Sequence, residues 1–275
     1  MPFKSLNMKK AIFFLFSTAL LLACTPSQKS VSNTTTSSSN LVINGKLFAV
    51  AYMQRSAEYH ALCLQAYNIA TLRLNEALQN ASSKPRAVIT DIDETLLDNS
   101  ADEVHHDLQG KGFDPKEWTK WTGMAAADTI PGALTFFKYA ASKNVEVFYI
   151  TNRDEKDKEG TLKNLKKFDF PYADEAHLVL KQGVSSKEAR RQKVMEKYDV
   201  VLLLGDNLSD FSSLWDSKTV GQRLENVQHQ SSEFGSRFII LPNPVYGDWE
   251  NALYQYKRLT PPQQDSAIKS WLKNY

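Results

Sequence analysis

Cysteine is scarce in this chain of 275 residues, which contains only Cys24 and Cys63. Two cysteines cannot build a disulfide framework or a cysteine-based metal site. Excess charge is also lacking, because 33 Lys and Arg residues stand against 31 Asp and Glu residues and leave a net charge of +2. Nucleic-acid-binding domains usually carry a concentrated basic surplus, so binding to a nucleic-acid polymer is not expected.

Long hydrophobic runs are absent except at residues 11–23, which follow Lys9 and Lys10. A basic segment, an apolar stretch and a small residue before Cys24 predict a secretory signal at residues 1–23. A transmembrane anchor is the alternative, but it would need about 20 apolar residues. The ending Leu-Leu-Ala-Cys resembles a bacterial lipoprotein signal, which implies a lipid on Cys24 and attachment to the membrane through that lipid. Thr25 follows, and this favours the outer membrane, facing either the periplasm or the surface.

The rest of the chain divides into a polar segment and a segment able to fold. Residues 24–45 are rich in serine, threonine and asparagine and have too few apolar residues for a core, which predicts a flexible tether. Residues 46–275 form the predicted domain, with folded structure expected from about Leu47. Apolar residues at helical spacing between Tyr52 and Gln79 predict one or two amphipathic helices.

Short apolar runs after Pro85 predict five buried strands. They are Ala87–Thr90, Val145–Ile150, His177–Leu180, Val200–Leu204 and Phe238–Leu241. Segments of helical character separate most of them. This alternation is typical of the α/β class, with a doubly wound parallel sheet of Rossmann type covered by helices on both faces. Ligands of such folds bind beyond the carboxyl ends of the strands.

Polar side chains follow four of these strands. They are Asp91, Asp93, Thr151, Asn152, Arg153, Lys187, Asp206 and Asp210. The strand ends should bring them to one crevice, yet carboxylates about 4 Å apart repel by several kcal/mol at an effective dielectric constant near 20. A hard divalent cation with oxygen ligands, such as Mg²⁺, would resolve this conflict.

Each motif alone has a purely structural explanation. Asp91 and Asp93 could cap a strand-to-helix turn, and the polar residues after the later strands could cap helices. A single lysine such as Lys187 is usually solvated. The combination, with each motif in order after an apolar run, favours a catalytic site.

These motifs resemble those of the haloacid dehalogenase (HAD) superfamily of aspartate-based phosphatases. The segment from Asp91 to Thr95 reads Asp-Ile-Asp-Glu-Thr, as in the first motif of that superfamily. The similarity is closer to the class C acid phosphatases, which are secreted bacterial lipoproteins with 5′-nucleotidase activity. It extends to the segments Trp118–Trp121 and Leu241–Glu250. The resemblance implies a HAD-like core with a small, mainly helical cap built from N-terminal and inserted segments.

The resemblance also implies Mg²⁺-dependent phosphoryl transfer in two steps. Asp91 would be the nucleophile, and Asp93 would be the general acid and base. The Asp91 carboxylate, the Asp93 backbone carbonyl and Asp206 would bind Mg²⁺, while Asp210 would orient metal-bound water. Thr151 and Lys187 would also be catalytic, by holding the phosphate oxygens. The residues implied to bind the substrate are Asn152, Arg153, Trp118 and Tyr246.

The expected substrates are nucleoside 5′-monophosphates and other small phosphomonoesters. Two alternatives stay open, namely a phosphotransferase with the same intermediate and a surface lipoprotein that binds haem or a host partner. A homodimer also stays open. Trp121 and Trp249 are expected in the core, and His105 and His106 on a solvated loop.

Overall fold

The computed structural model describes residues 41–275. The predicted signal, Cys24 and most of the tether lie outside the described residues. A helix spans Leu41–Arg55, so residues 41–45, which were assigned to the tether, are helical, and the expected start of folded structure near Leu47 was wrong. The backbone N–H groups of Leu41 and Val42 donate to the two Asp265 carboxylate oxygens at 3.1 Å each, and this contact over 223 residues could not be read from local sequence.

The α/β prediction is confirmed by a five-stranded sheet whose paired strands all run parallel. The strands are β1 (Arg86–Thr90), β2 (Leu97–Asp98), β3 (Asp128–Thr129), β4 (Glu146–Ile150), β5 (Leu178–Val179), β6 (Asp199–Gly205) and β7 (Phe238–Ile240). The order in the sheet is β5-β4-β1-β6-β7, while β2 and β3 pair separately and antiparallel. From β1 the chain adds β4 and then β5 on one side of the sheet, and it then crosses back to add β6 and β7 on the other side of β1. The order in which strands are added therefore reverses beside β1. Ligand sites in open α/β sheets lie at such a reversal.

Helices cover both faces of the sheet. They are α1 (Leu41–Arg55), α2 (Ala57–Leu78), α3 (Ser100–Asp107), α4 (Pro115–Met124), α5 (Ala133–Ser142), α6 (Lys158–Lys167), α7 (Glu188–Lys197), α8 (Val220–His229), α9 (Asp248–Leu253) and α10 (Pro261–Trp271). Val88 packs with residues of α2 and α5, whereas its neighbour Ile89 packs with α7 on the other face. Cys63 is fully buried on α2. Within residues 41–275, no helix combines the length and apolar character that a membrane crossing requires.

A small cap stands over the carboxyl end of β1. Its inserted part lies between β1 and β4 and contains β2, α3, α4 and β3, and α1 contributes the N-terminal part by packing on α3. Helix α4 lies directly on α6, where a Cβ on Gly160 would collide with the Thr122 carbonyl group. This close contact fixes the cap relative to the sheet.

Candidate active site

The turn after β1 carries two aspartates into a cleft. The Asp91 N–H still donates to the Leu204 carbonyl oxygen of β6 at 3.0 Å, so Asp91 continues the sheet. Glu94 then adopts a left-handed conformation with φ +53°, which costs a non-glycine residue roughly 1–2 kcal/mol. Its N–H donates to the Leu97 carbonyl oxygen at 2.8 Å, which closes the turn. Asp91 and Asp93 consequently line the same cleft.

Three carboxylates meet at the edge of the sheet. One oxygen each of Asp91, Asp206 and Asp210 lies within 4.8 Å of the others, and we call these residues the carboxylate cluster. Asp210 can approach because Gly205 has no side chain, and a Cβ there would collide with the Asp210 carboxylate. The Asn207 N–H also donates to Asp210 at 3.0 Å. The end of β6 therefore shapes the cluster.

Lys187 supplies positive charge to this cluster. Its Nζ lies 2.5 Å from Asp91 Oδ1 and 2.6 Å from Asp210 Oδ1, and only 5% of the residue is exposed. Burial opposes the charged form, but the Asp210 and Asp91 carboxylates outweigh it and raise the pKa of Lys187. Burial raises the pKa of Asp91 to about 7, although Lys187 acts in the opposite direction. Lys187 is thus held charged against the predicted nucleophile.

Asp206 lacks an equivalent partner. It accepts hydrogen bonds from Asn243 Nδ2 at 2.8 Å and from Thr95 Oγ1 at 3.4 Å. In residues 41–275 no cationic side chain lies within ion-pair distance of it. Burial, followed by the charges of Asp210 and Asp91, raises its pKa far above the ordinary value. Three carboxylates beside a single lysine give the cluster more negative charge than Lys187 can neutralise.

A hard cation fits the carboxylate cluster. Three carboxylates face one lysine, and oxygen donors of this kind are the ligands that Mg²⁺ takes. Asp210 lies within the same 4.8 Å limit as Asp91 and Asp206, so its carboxylate is also near enough to contribute to a metal site. The Asp93 carboxylate is ion-paired elsewhere, which leaves its backbone carbonyl as the group available to a metal.

Asp93 belongs to a second, charge-matched cluster. Arg153 Nη2 donates to Asp93 Oδ1 at 2.6 Å, and Asn99 Nδ2 donates to the same oxygen at 2.8 Å. Arg153 is itself held by Thr161 Oγ1 at 3.0 Å and lies 5.4 Å from the ring of Trp118. We call Asp93, Arg153 and Asn99 the Asp93 cluster. Sequence reasoning missed Asn99, whose place six residues after Asp93 was the available signal.

The loop after β4 is held by an arginine that sequence reasoning also missed. Arg190 donates to the Thr151 carbonyl oxygen at 2.6 Å and to Asn152 Oδ1 at 2.7 Å. The Thr151 hydroxyl accepts the Arg153 N–H at 3.1 Å, and Thr151 is fully buried. Arg190 comes three residues after Lys187, and helical spacing places both on one side of α7.

A cleft of about 480 Å³ joins the two clusters. Its walls include Asn152, Arg153, Trp118 and Tyr246, whereas Thr151 lies behind it. Trp118 lies on helix α4. Tyr246 lies in a loop, between β7 and α9. The cleft thus gathers nearly all of the predicted site residues.

Three expectations about other residues need correction. Trp249 is 41% exposed rather than in the core, because its Nε1 donates to the Tyr246 carbonyl oxygen at the surface. Trp121 is only half-buried and donates to Asn99 Oδ1. His106 lies on helix α3 and is buried 3.4 Å from Asp102, whereas only His105 is exposed.

The reversal beside β1, the strand-end motifs and the inserted cap define an enzyme-like HAD fold with an acidic site. The chain belongs to the HAD superfamily, subfamily IIIB (acid phosphatase), whose family model matches residues 7–249.

Two solved structures and one protein compared by sequence agree with this assignment. The class C acid phosphatase from Bacillus anthracis is 39% identical, with a TM-score of 0.82 over 86% of this chain and 99% of that one. A second structure of that enzyme, with tungstate bound, is 38% identical over the same shares, also with a TM-score of 0.82. Acid phosphatase 1 from Solanum lycopersicum is 27% identical over 166 residues, which are 58% of this chain and 57% of that protein.

Proposed function

We propose that this protein is a Mg²⁺-dependent phosphomonoesterase that hydrolyses nucleoside 5′-monophosphates and other small phosphomonoesters. The observation that carries the proposal is the buried Lys187–Asp91 pair beside two further carboxylates, with Asp93 in the same cleft. The tungstate complex of the Bacillus anthracis enzyme gives further support, because tungstate is a tetrahedral oxyanion like phosphate.

In the first step a carboxylate oxygen of Asp91 attacks phosphorus, and the bond from phosphorus to the leaving oxygen breaks. Asp93 donates its proton to that oxygen, which departs as an alcohol. Asp91 then carries the phosphoryl group as an acyl phosphate. Lys187, which contacts Asp91 Oδ1, is placed to offset the charge of the phosphate oxygens.

In the second step water replaces Asp91 on phosphorus. The Asp93 carboxylate takes a proton from this water, whose oxygen bonds to phosphorus as the bond to Asp91 breaks. Inorganic phosphate leaves, and Asp91 and Asp93 return to their starting states. Mg²⁺ bound by Asp91, Asp206 and the Asp93 carbonyl group would lower the electrostatic cost of bringing an anionic phosphate to an anionic nucleophile.

The leaving group is proposed to lie between Trp118 and Tyr246, which both line the cleft. Stacking of a base on an aromatic ring contributes about 1–3 kcal/mol and tolerates many bases. A cleft of about 480 Å³ is large enough for a small ligand, as binding pockets commonly measure 300–1,000 Å³. These features favour mononucleotides with broad base tolerance.

The proposal is tested by phosphate release from a panel of mononucleotides, sugar phosphates and aryl phosphates, with Mg²⁺ or with EDTA. We expect release that depends on Mg²⁺ and is fastest with mononucleotides. Added glycerol or nucleoside should not trap the phosphoryl group, and a phosphorylated acceptor among the products would identify a phosphotransferase instead. No release from any ester with Mg²⁺ would contradict the proposal.

We also propose a lipid anchor at Cys24 that attaches the enzyme to the bacterial outer membrane. The support is the sequence pattern before Cys24 and the polar segment that follows it. Cys24→Ser in a chain whose signal is removed by another route should yield an active enzyme in the soluble fraction. If that variant stays in the membrane fraction, the lipid is not the sole anchor.

A further inference from the structure

Asn99 is buried against the proposed general acid and base. Only 3% of the residue is exposed, and its Nδ2 donates to Asp93 Oδ1 at 2.8 Å. Its backbone N–H donates to Glu94 Oε1 at 2.8 Å, so the residue is also held through its main chain. Asn99 is therefore fixed in place before any substrate arrives.

The orientation of the Asn99 amide is set by a tryptophan. Trp121 Nε1 lies 2.8 Å from Asn99 Oδ1, and an indole nitrogen can only donate. The oxygen of the amide must therefore face Trp121, and Arg153 Nη2 approaches the same oxygen at 3.4 Å. The NH₂ group is left to face Asp93. The oxygen and nitrogen of an amide side chain are assigned from their hydrogen-bond partners. Here those partners place the nitrogen, and not the oxygen, against the Asp93 carboxylate.

The two oxygens of the Asp93 carboxylate are held unequally. Oδ1 accepts from Asn99 Nδ2 at 2.8 Å and from Arg153 Nη2 and Nε at 2.6 and 3.1 Å. Oδ2 has one contact, with Arg153 Nε at 3.2 Å. A carboxylate oxygen that already accepts three N–H groups has little capacity left for a proton, whereas its neighbour keeps that capacity.

We propose that Asn99, oriented by Trp121, is a positioning residue that holds Asp93 Oδ1 and leaves Oδ2 to exchange a proton with the leaving group and then with water. This inference rests on the proposed function and adds a residue to it. Asn99 lines the cleft, but its side-chain hydrogen bonds within the described residues go to Asp93, Trp121 and Arg153 rather than to the carboxylate cluster, so we assign its effect to Asp93.

The test compares an alkyl with an aryl phosphate, both with Mg²⁺. An alkyl leaving group such as glycerol needs a proton as its bond breaks, whereas 4-nitrophenol leaves as an anion. The ratio kcat/KM reports the steps up to release of the leaving group, so it isolates the acid role of Asp93 from its later base role. Asn99→Leu removes both ends of the amide. Asn99→Asp keeps an acceptor for Trp121, removes the donor to Asp93 and adds a carboxylate beside it. Trp121→Phe keeps one aromatic ring but removes the N–H that orients the amide.

We expect Asn99→Leu and Asn99→Asp to lower kcat/KM for glycerol phosphate by at least about 10-fold more than for 4-nitrophenyl phosphate. Trp121→Phe should change this alkyl-to-aryl ratio in the same direction but by less, because Asn99 Nδ2 remains. Asn164→Leu is the matched control. Asn164 is a buried asparagine that bonds both backbone groups of Ala127 away from the cleft, so its loss should lower stability and leave the ratio unchanged.

The outcomes separate this inference from the proposed function. If the unaltered protein hydrolyses neither ester, the proposed function fails. If it hydrolyses both and Asn99→Leu reduces them equally, Asn99 is only structural. A near-normal alkyl-to-aryl ratio in Asn99→Asp would likewise overturn the inference, since that variant keeps an acceptor for Trp121, lacks the donor to Asp93 and adds a negative charge beside it.

Discussion

The two clusters of the cleft solve the problem of buried charge differently. The carboxylate cluster sets three carboxylates against Lys187 alone, and Asp206 has no ion pair within the described residues. The Asp93 cluster matches one carboxylate with Arg153 and adds a neutral amide from Asn99. One half of the site therefore needs a cation from outside, whereas the protein completes the other half by itself. A first-half variant that loses only a metal ligand should respond to added metal, whereas variants in the second half should not.

The largest effect is expected from Asp91→Asn. An amide is not a nucleophile, so turnover should fall by at least about 10⁴-fold with alkyl and aryl phosphates alike. Excess Mg²⁺ should not restore it, although Asp91 belongs to the half that needs metal. Steady-state kcat measured against Mg²⁺ concentration provides the check. Activity within 10-fold of the unaltered enzyme would show that Asp91 is not the nucleophile.

Asp93→Asn should show a loss that added metal cannot repair. The substitution keeps the backbone carbonyl group and the size of the side chain, while the proton carrier is lost. We expect kcat to fall by at least about 10²-fold. The loss in kcat/KM should be smaller for an aryl than for an alkyl phosphate. Recovery of kcat at high Mg²⁺ concentration would show that the Asp93 side chain acts through the metal. It would contradict the proposed difference between the two clusters.

Asp206→Asn should give the opposite pattern. At limiting Mg²⁺ its activity should fall, and excess Mg²⁺ should recover part of it, because the variant loses a ligand rather than a reacting group.

In EDTA, however, the Asp206→Asn variant should have a higher Tm than the unaltered protein, since it removes a buried carboxylate that faces Asp91 and Asp210 without a cation. The order of the two Tm values should reverse with Mg²⁺. A lower Tm in both conditions would show that Asp206 is not the uncompensated charge.

The same division explains what could be predicted from the sequence. The sheet and the carboxylate cluster were predictable, because Asp91 and Asp206 directly follow apolar strands, Asp210 comes a few residues later, and strand ends meet at one edge. The supporting residues were not. Asn99 and Trp121 meet through the fold of the cap, and Leu41 is capped by Asp265 from the far end of the chain. Such contacts depend on tertiary packing, which leaves no periodicity in the sequence.

The smallest effect is expected from Tyr246→Ala, which tests a residue of the cleft that belongs to neither cluster. Tyr246 lines the cleft and is only half-buried, so its ring is available to a base. Losing one stacking contact should raise KM for a mononucleotide by roughly 5- to 150-fold, which corresponds to about 1–3 kcal/mol. KM for glycerol phosphate should change little, because that substrate has no ring, and kcat for both should stay nearly constant. Trp249→Ala is the matched control, since Trp249 is an exposed aromatic residue three positions later that does not line this cleft. Equal increases in KM for both substrates would show that Tyr246 shapes the cleft without contacting a base, and the leaving group would then have to be recognised by Trp118 alone.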